Sequence, residues 1–249
     1  RYWRDWSSDV CSSDLLEQSG IPFTWQVSGV DEAAIHSPEP ETLVQLLAQA
    51  KAEAVLAARG LGSPWELAGS SGPMALASRQ RPNEAGTGSS PAVAGSSLAA
   101  VDPRWAVAAV LGCDSLLCLE GETFGKPTDA EQATQRWRRL AGCRAQLITG
   151  HCLLWPGGGR RTTVATTVVF AALTPEEIDR YVASGEPLAC AGGFALEGMG
   201  GMVVERLEGC WSNVIGLSLP LLRQWLRPLG CSPLGGSPWA GTGLSFPSA

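Results

Sequence analysis

Four places in this chain carry residues whose types and spacing could do chemistry. The first is Asp31 and Glu32 in "VDEAA", at the end of an extended stretch. The second is Lys51, beside the apolar stripe of a clear helix. The third is Asp114 in "GCDS", which interrupts a β-rich apolar run, where an unpartnered buried carboxylate is costly. The fourth is Lys126 in "FGKPTDAE", bracketed by Gly125 and Pro127 just before a helix N-terminus, a place that attracts anions. Lysines can neutralise phosphate oxygens, and carboxylates can hold a divalent metal or take a proton from water. Each feature also has a plain reading: a solvated turn for Asp31 and Glu32, a snorkelling side chain for Lys51, a turn carboxylate for Asp114. Asp114 is the strongest of them, because a charge within a core strand needs a reason.

Other chemistries are excluded by their missing signatures. There is no GxxxxGK[ST] phosphate loop, no GxSxG elbow and no Cys/His arrangement for a nucleophile. Of the two histidines, His36 precedes a helix and is expected to be exposed; His151 lies in a strand and is expected to be structural. The eight cysteines include no Cys-x-x-Cys pair and lie mostly in apolar runs, so buried thiols and a reducing cytoplasm are expected. A net charge of −6 argues against nucleic-acid binding. No apolar run reaches membrane-span length, and the N-terminus has no signal-peptide core.

The elements that must position these residues are legible in outline. A helix end and a turn at Gly20 lead into "IPFTWQVSGV" as an extended stretch. "SPEPETLVQLLAQAKAEAVLAARG" predicts a helix with Ser37 as N-cap, Pro38 in the first turn, a stripe of Leu43, Leu47, Ala50 and Ala54, and Gly60 as its stop. Residues 61–104 are rich in Gly, Ser, Ala and Pro and read as a flexible insertion. "WAVAAVLGCDSLLCLEGE" is β-rich. "TDAEQATQRWRRLAG" predicts a helix with a Thr128–Glu131 capping box and Ala130, Ala133, Trp137 and Leu140 facing the core. "RAQLITGHCLLW" and "TTVATTVVFAAL" predict strands joined by "PGGGR" as a hairpin, and "TPEEIDRYVASG" a helix with a Thr174–Glu177 box. Two short strands around "GFALEGMGGMVVERLEG" and a final amphipathic helix, "LPLLRQWLRPLG", with Leu219, Leu222, Leu226 and Leu229 on one face, complete the ordered part. The tail 231–249 is expected to be flexible. The alternation of strands and helices predicts a single α/β domain with a mixed sheet.

Order and spacing carry a resemblance. "LLEQSGIPF…VSGVDE", Lys51 in "AxxKA", "GCDS", "GExFGKPTDAE", "LITG", "EEIDRYVASGEPL", "AGGFALEG" and "NVIGLSLPLL" resemble the Maf-like nucleotide pyrophosphatase family over Leu15–Arg59 and Val107–Gly230. The resemblance implies a Maf/inosine-triphosphatase-like α/β fold with an elongated mixed sheet, flanking helices and two lobes around a cleft. It implies hydrolysis of a non-canonical or modified nucleoside triphosphate to monophosphate and pyrophosphate with Mg²⁺ or Mn²⁺, in the cytoplasm, by a homodimer. Asp114 matches the family's catalytic, metal-linked aspartate, and Glu32 its metal- and substrate-linked glutamate. Lys51 and Lys126 match the phosphate-contacting lysines. Glu197 stands at the substrate position where many members carry Gln; a carboxylate cannot donate the hydrogen bond that Gln can, which bears on base choice. Ala189 and Cys190 replace an acid and a base, and Gln146 replaces a histidine, which suggests a subfamily with its own base preference. The family's association with septum formation offers an alternative, a non-catalytic nucleotide-binding regulator of division.

The front of the chain departs most. The family opens with a strand and a Ser-x-Ser-Pro-Arg-Arg loop that grips the triphosphate, whereas this chain opens "RYWRDWSSDVCSSDL". Residues 5–15, "DWSSDVCSSDL", match one translated frame of a widely used short-read sequencing adapter. The expected organisation is therefore an artefactual segment at 1–15, the Maf-like domain at 16–230 with its insertion at 61–104, and the tail. Without the arginine-bearing loop this exact chain is expected to be impaired, since one electrostatic donor is worth about two to four powers of ten in rate. Resequencing the locus checks the artefact.

Overall fold

A computed structural model of the chain describes residues 8–21, 23–60, 109–155 and 158–229. The expected insertion at 61–104 and tail at 231–249 lie outside the described residues. Five strands form one sheet, β1 (Val110–Leu119), β2 (Glu122–Phe124), β3 (Arg144–Trp155), β4 (Gly158–Phe170) and β5 (Val204–Glu208), in the order β2-β1-β3-β4-β5. The helices are α1 (Ser8–Gln18), α2 (Pro40–Ala58), α3 (Ala130–Leu140), α4 (Pro175–Ala183), α5 (Glu186–Ala189), α6 (Trp211–Val214) and α7 (Leu219–Leu226). The α/β class and flanking helices are as expected. The mixed sheet is corrected: among the described residues every pairing is antiparallel. β1 and β2 turn back on each other through Glu120–Gly121, both at positive φ (53° and 82°), the geometry that a two-residue hairpin demands.

The sheet is covered on both faces. On β1, Val110 packs against Ala48, Ala52 and Leu56 of α2 together with Cys152 and Leu154 of β3. The opposite face of β3 offers Leu153 to a cluster with Leu15 of α1 and Leu217, Leu222, Trp225 and Leu226. Toward the β2 end, Leu117, Leu147, Val168 and Phe170 meet Trp137 of α3 and Ile178 and Tyr181 of α4. Trp137 is the hub there: its ring lies edge-on to Phe170 and Tyr181 at 5.4 and 5.0 Å, and its indole N–H donates to the Gly193 carbonyl at 3.0 Å.

Several local expectations shift. Helix α2 starts at Pro40 with Glu39 as N-cap; Ser37 accepts from the Glu39 N–H in a separate turn before it. Its buried face is Val44, Leu47, Ala48, Ala52 and Leu56, so of the expected stripe only Leu47 stands. The reason is the sheet beneath. A Cβ at Gly112 would fall 2.2 Å from the Ala48 carbonyl oxygen, and one at Gly150 would fall 2.1 Å from that of Val44. Two glycines thus let the helix backbone sit directly on the strands at Val44, Ala48 and Ala52. Helix α3 is capped one residue late, by Asp129 accepting from the Gln132 N–H at 2.8 Å, and Ala130 is exposed. Helix α4 carries the expected Thr174–Glu177 box. Of the two short strands expected after it, one forms, β5; short 3-10 turns at Ala191–Gly193 and Met199–Met202 replace the other. Helix α1 begins at Ser8, upstream of the expected Leu16, and Leu15 is its buried anchor.

Candidate active site

Asp114 lies in the middle of β1, directly opposite Gly150 of β3. Strand alternation points it to the same face as Val110 and Gly112, the face that α2 covers. Lys51 is on α2, one residue from Ala52 and four from Leu47, so it too faces the sheet. The close approach that Gly112 and Gly150 permit brings the two together: Lys51 Nζ donates to Asp114 Oδ1 at 2.7 Å. The same ammonium reaches Glu32 Oε1 at 2.8 Å. The Lys51 and Asp114 side chains are each only 11% exposed, while that of Glu32 is 56% exposed. The cluster is therefore closed at its Asp114 end and open at its Glu32 end.

Adjacent acids have separate jobs. Asp31 accepts from the Ala33 N–H at 3.1 Å and caps the one-turn 3-10 helix Glu32–Ala34, which leaves Glu32 to reach Lys51. Burial opposes the charge on Lys51, yet the Asp114 and Glu32 carboxylates outweigh it and hold the ammonium well above its ordinary range. Lys51 is a fixed cation at any physiological pH, and snorkelling does not describe it.

Lys126 and Glu197 form a second, exposed group. Among the described residues neither makes an ion pair, and both lie near the buried Cys190 thiol, on which each exerts a charge effect. Desolvation first, and then Glu186 and Glu197, push that thiol up to about 12, with Lys126 opposing them. Lys126 follows β2, which ends at Phe124 opposite Leu117.

Sequence reasoning passed over Glu186. It is buried, and its carboxylate accepts from Tyr181 Oη at 2.6 Å and from the Met199 and Gly200 N–H groups at 2.7 Å each. These bonds pin the segment that carries Glu197. The only hint in the sequence is "GEP" opening a short helix, which is too common to single out. His36 is exposed, as expected. His151 is buried on the other side of the sheet, where Nε2 accepts from the Ser218 N–H at 2.9 Å; it is structural.

Two carboxylates aimed at one point, one of them open, suit a hard divalent cation. Mg²⁺ takes oxygen ligands and typically keeps only one or two protein carboxylates beside water and phosphate. Asp114 and Glu32, which meet at the Lys51 ammonium, are the residues that could hold it. No group of three or more potential ligands occurs among the described residues.

The family model for Maf-like protein matches residues 12–229. The nucleoside triphosphate pyrophosphatase of Synechococcus sp. (strain WH7803) is 50% identical over 217 residues, 85% of this chain and 91% of that protein. The protein of the same name in Synechococcus sp. (strain CC9311) is 49% identical over 222 residues, 85% of this chain and 92% of its own length. That in Prochlorococcus marinus (strain MIT 9313) is 48% identical over 213 residues, 85% and 91% respectively. The chain belongs to the Maf-like protein family. No described helix is long and apolar enough to cross a membrane.

Proposed function

We propose that this protein is a nucleoside triphosphate pyrophosphatase, cleaving a nucleoside triphosphate to the monophosphate and pyrophosphate. The observation that carries this reading is the buried Lys51–Asp114 pair with Glu32 at its open end, in a chain so similar to relatives bearing that name. Water forms a bond to the α-phosphorus, the bond from that phosphorus to the α,β-bridging oxygen breaks, and pyrophosphate departs with the electron pair. Asp114, aimed by Lys51, accepts the proton that the water loses. Lys51, a permanent cation, offsets charge that develops on the phosphoryl oxygens. Lys126 meets the departing pyrophosphate end. Glu197, an acceptor only, is placed to select bases by the N–H or NH₂ they present to it, and the substrates include non-canonical or modified nucleotides. Asp114 and Glu32 would hold Mg²⁺ or Mn²⁺, which when bound polarises phosphate oxygens.

The test is pyrophosphate release across canonical and modified nucleoside triphosphates, with the printed chain beside a version carrying the locus's resequenced N-terminus. Turnover by the resequenced version on some member of the set supports the reading, and the printed chain is expected to be far slower. Nucleotide binding without turnover by both versions would sink it.

A further inference from the structure

We infer that Arg136 and Gln132, on α3, form a brace that positions Lys126 for phosphate, an inference resting on the phosphate role of Lys126 in the reading above. Lys126 is exposed, sits in neither helix nor strand, and makes no ion pair among the described residues. A lysine so placed loses much conformational freedom when it grips an anion, unless its backbone is already held. The backbone is held from both sides. Arg136 Nη1 donates to the Gly125 carbonyl at 2.6 Å, one residue before Lys126. Gln132 Oε1 accepts from the Thr128 N–H at 3.0 Å, two residues after it. The braces are joined, because Arg136 Nη2 donates to the same Gln132 Oε1 at 2.8 Å, so one amide oxygen uses both of its lone pairs. Their spacing of four residues puts them on one face of α3. Between the clamped ends, Pro127 is buried and fixes its own φ.

Arg136 is itself seated. Its guanidinium lies 5.6 Å from the centre of the Phe124 ring, with Arg139 at 5.1 Å from the same ring. The two arginines differ in what they hold. Arg139 pairs with Glu122 at 2.7 Å, whereas among the described residues Arg136 has only neutral acceptors, one of them in the Lys126 loop. A guanidinium fork is suited to span two acceptors at once, and lysine or methionine is not. Arg136 is thus a positioning residue acting through Lys126, and Arg139 is the matched control.

The experiment is a double-mutant cycle on the full chain carrying the locus's resequenced N-terminus, measuring calorimetric binding of inorganic tripolyphosphate with Mg²⁺. Arg136→Met is expected to weaken binding by about tenfold in the parent chain and to have almost no effect in Lys126→Ala, the signature of one residue acting through another. Arg136→Lys recovers part of the loss, and Arg139→Met leaves binding unchanged. In parallel, hydrogen exchange at the Thr128 amide, which Arg136 does not touch, is expected to be about tenfold faster in Arg136→Met. Additive losses, or an unaltered Thr128 amide, would overturn the brace even if the parent binds well. A parent chain that ignores tripolyphosphate would overturn the phosphate role itself, and the brace's purpose with it. Thermal melts of each variant separate these outcomes from unfolding.

Discussion

The two faces of the central strands solve the problem of buried polarity in opposite ways. On the α2 face, Asp114 is a charge answered by a charge, and the cluster runs outward to an exposed Glu32. One residue further along β1, on the other face, Ser115 shares a hydrogen bond with Thr149 at 2.8 Å. Thr149 donates to the Asn213 carbonyl at 3.1 Å. The Asn213 amide donates to the Val164 carbonyl at 3.1 Å, and Thr166 and Cys210 bond each other's polar groups. His151 and Ser218 tie the start of α7 to β3. This second face is neutral, enclosed and linked into a network that fixes α6 and α7 to the sheet. Closed neutral networks specify a fold; an ion cluster with one open end is placed to meet a ligand. The same short motifs feed both, since "GCDS" supplies Asp114 to one face and Ser115 to the other.

That contrast can be broken at several points. The largest effect is expected at the glycine that lets α2 reach the site. Gly150→Val would drive a side chain into the Val44 carbonyl, costing about 4 kcal/mol or more, read as lost folding or a large drop in denaturation midpoint. Next is Lys51→Met, which leaves Asp114 without its ammonium and should cost about 3 kcal/mol in chemical denaturation. Asn213→Ala cuts the neutral network and should cost about 2 kcal/mol, while tripolyphosphate binding by the folded protein is kept. The smallest effect is at His151 and shows only in acid. Burial pushes this imidazole down from 6.5 to about 4, against a weaker opposing effect of the Thr149 backbone. The unfolded chain takes up a proton below about pH 6.5 and the folded chain does not, so stability is full above that value and falls as pH drops toward 4. Melting temperature should follow this course, and His151→Asn should flatten that part of it.

The parts legible in the sequence are those set by local chemistry. Thr174 and Glu177 make their box, and β3 runs from Arg144 to Trp155 as "RAQLITGHCLLW" indicates. What was misread depends on distant partners. Ser37 and Pro38 imitate a helix start, but Glu39 and Pro40 offer the same signal two residues on, where α2 meets the sheet. The α2 stripe was misassigned because the face that is buried is set by where Gly112 and Gly150 admit the helix backbone, at Val44, Ala48 and Ala52. Antiparallel pairing of β3 with β4 follows from the hairpin that "PGGGR" predicts, whereas that of β1 with β3 joins distant segments and has no local mark. For the site, the residue types and family spacing named Asp114, Glu32, Lys51 and Lys126. Contact between Lys51 and Asp114, across a separation of 63 residues, needed the fold. Arg136 and Gln132 were invisible because an arginine four residues after a glutamine on a helix ordinarily signals only a solvated face.

The most direct test of the central claim is pyrophosphate release by Asp114→Asn, beside the parent with the resequenced N-terminus, on whichever nucleoside triphosphate the parent turns over fastest. The structure predicts a fall of about two to four powers of ten, as expected for a lost general base, with the melting temperature nearly unchanged because Lys51 keeps Glu32 as a partner. A variant that releases pyrophosphate at close to the parent rate would contradict the assignment of the Lys51–Asp114 pair as the catalytic centre.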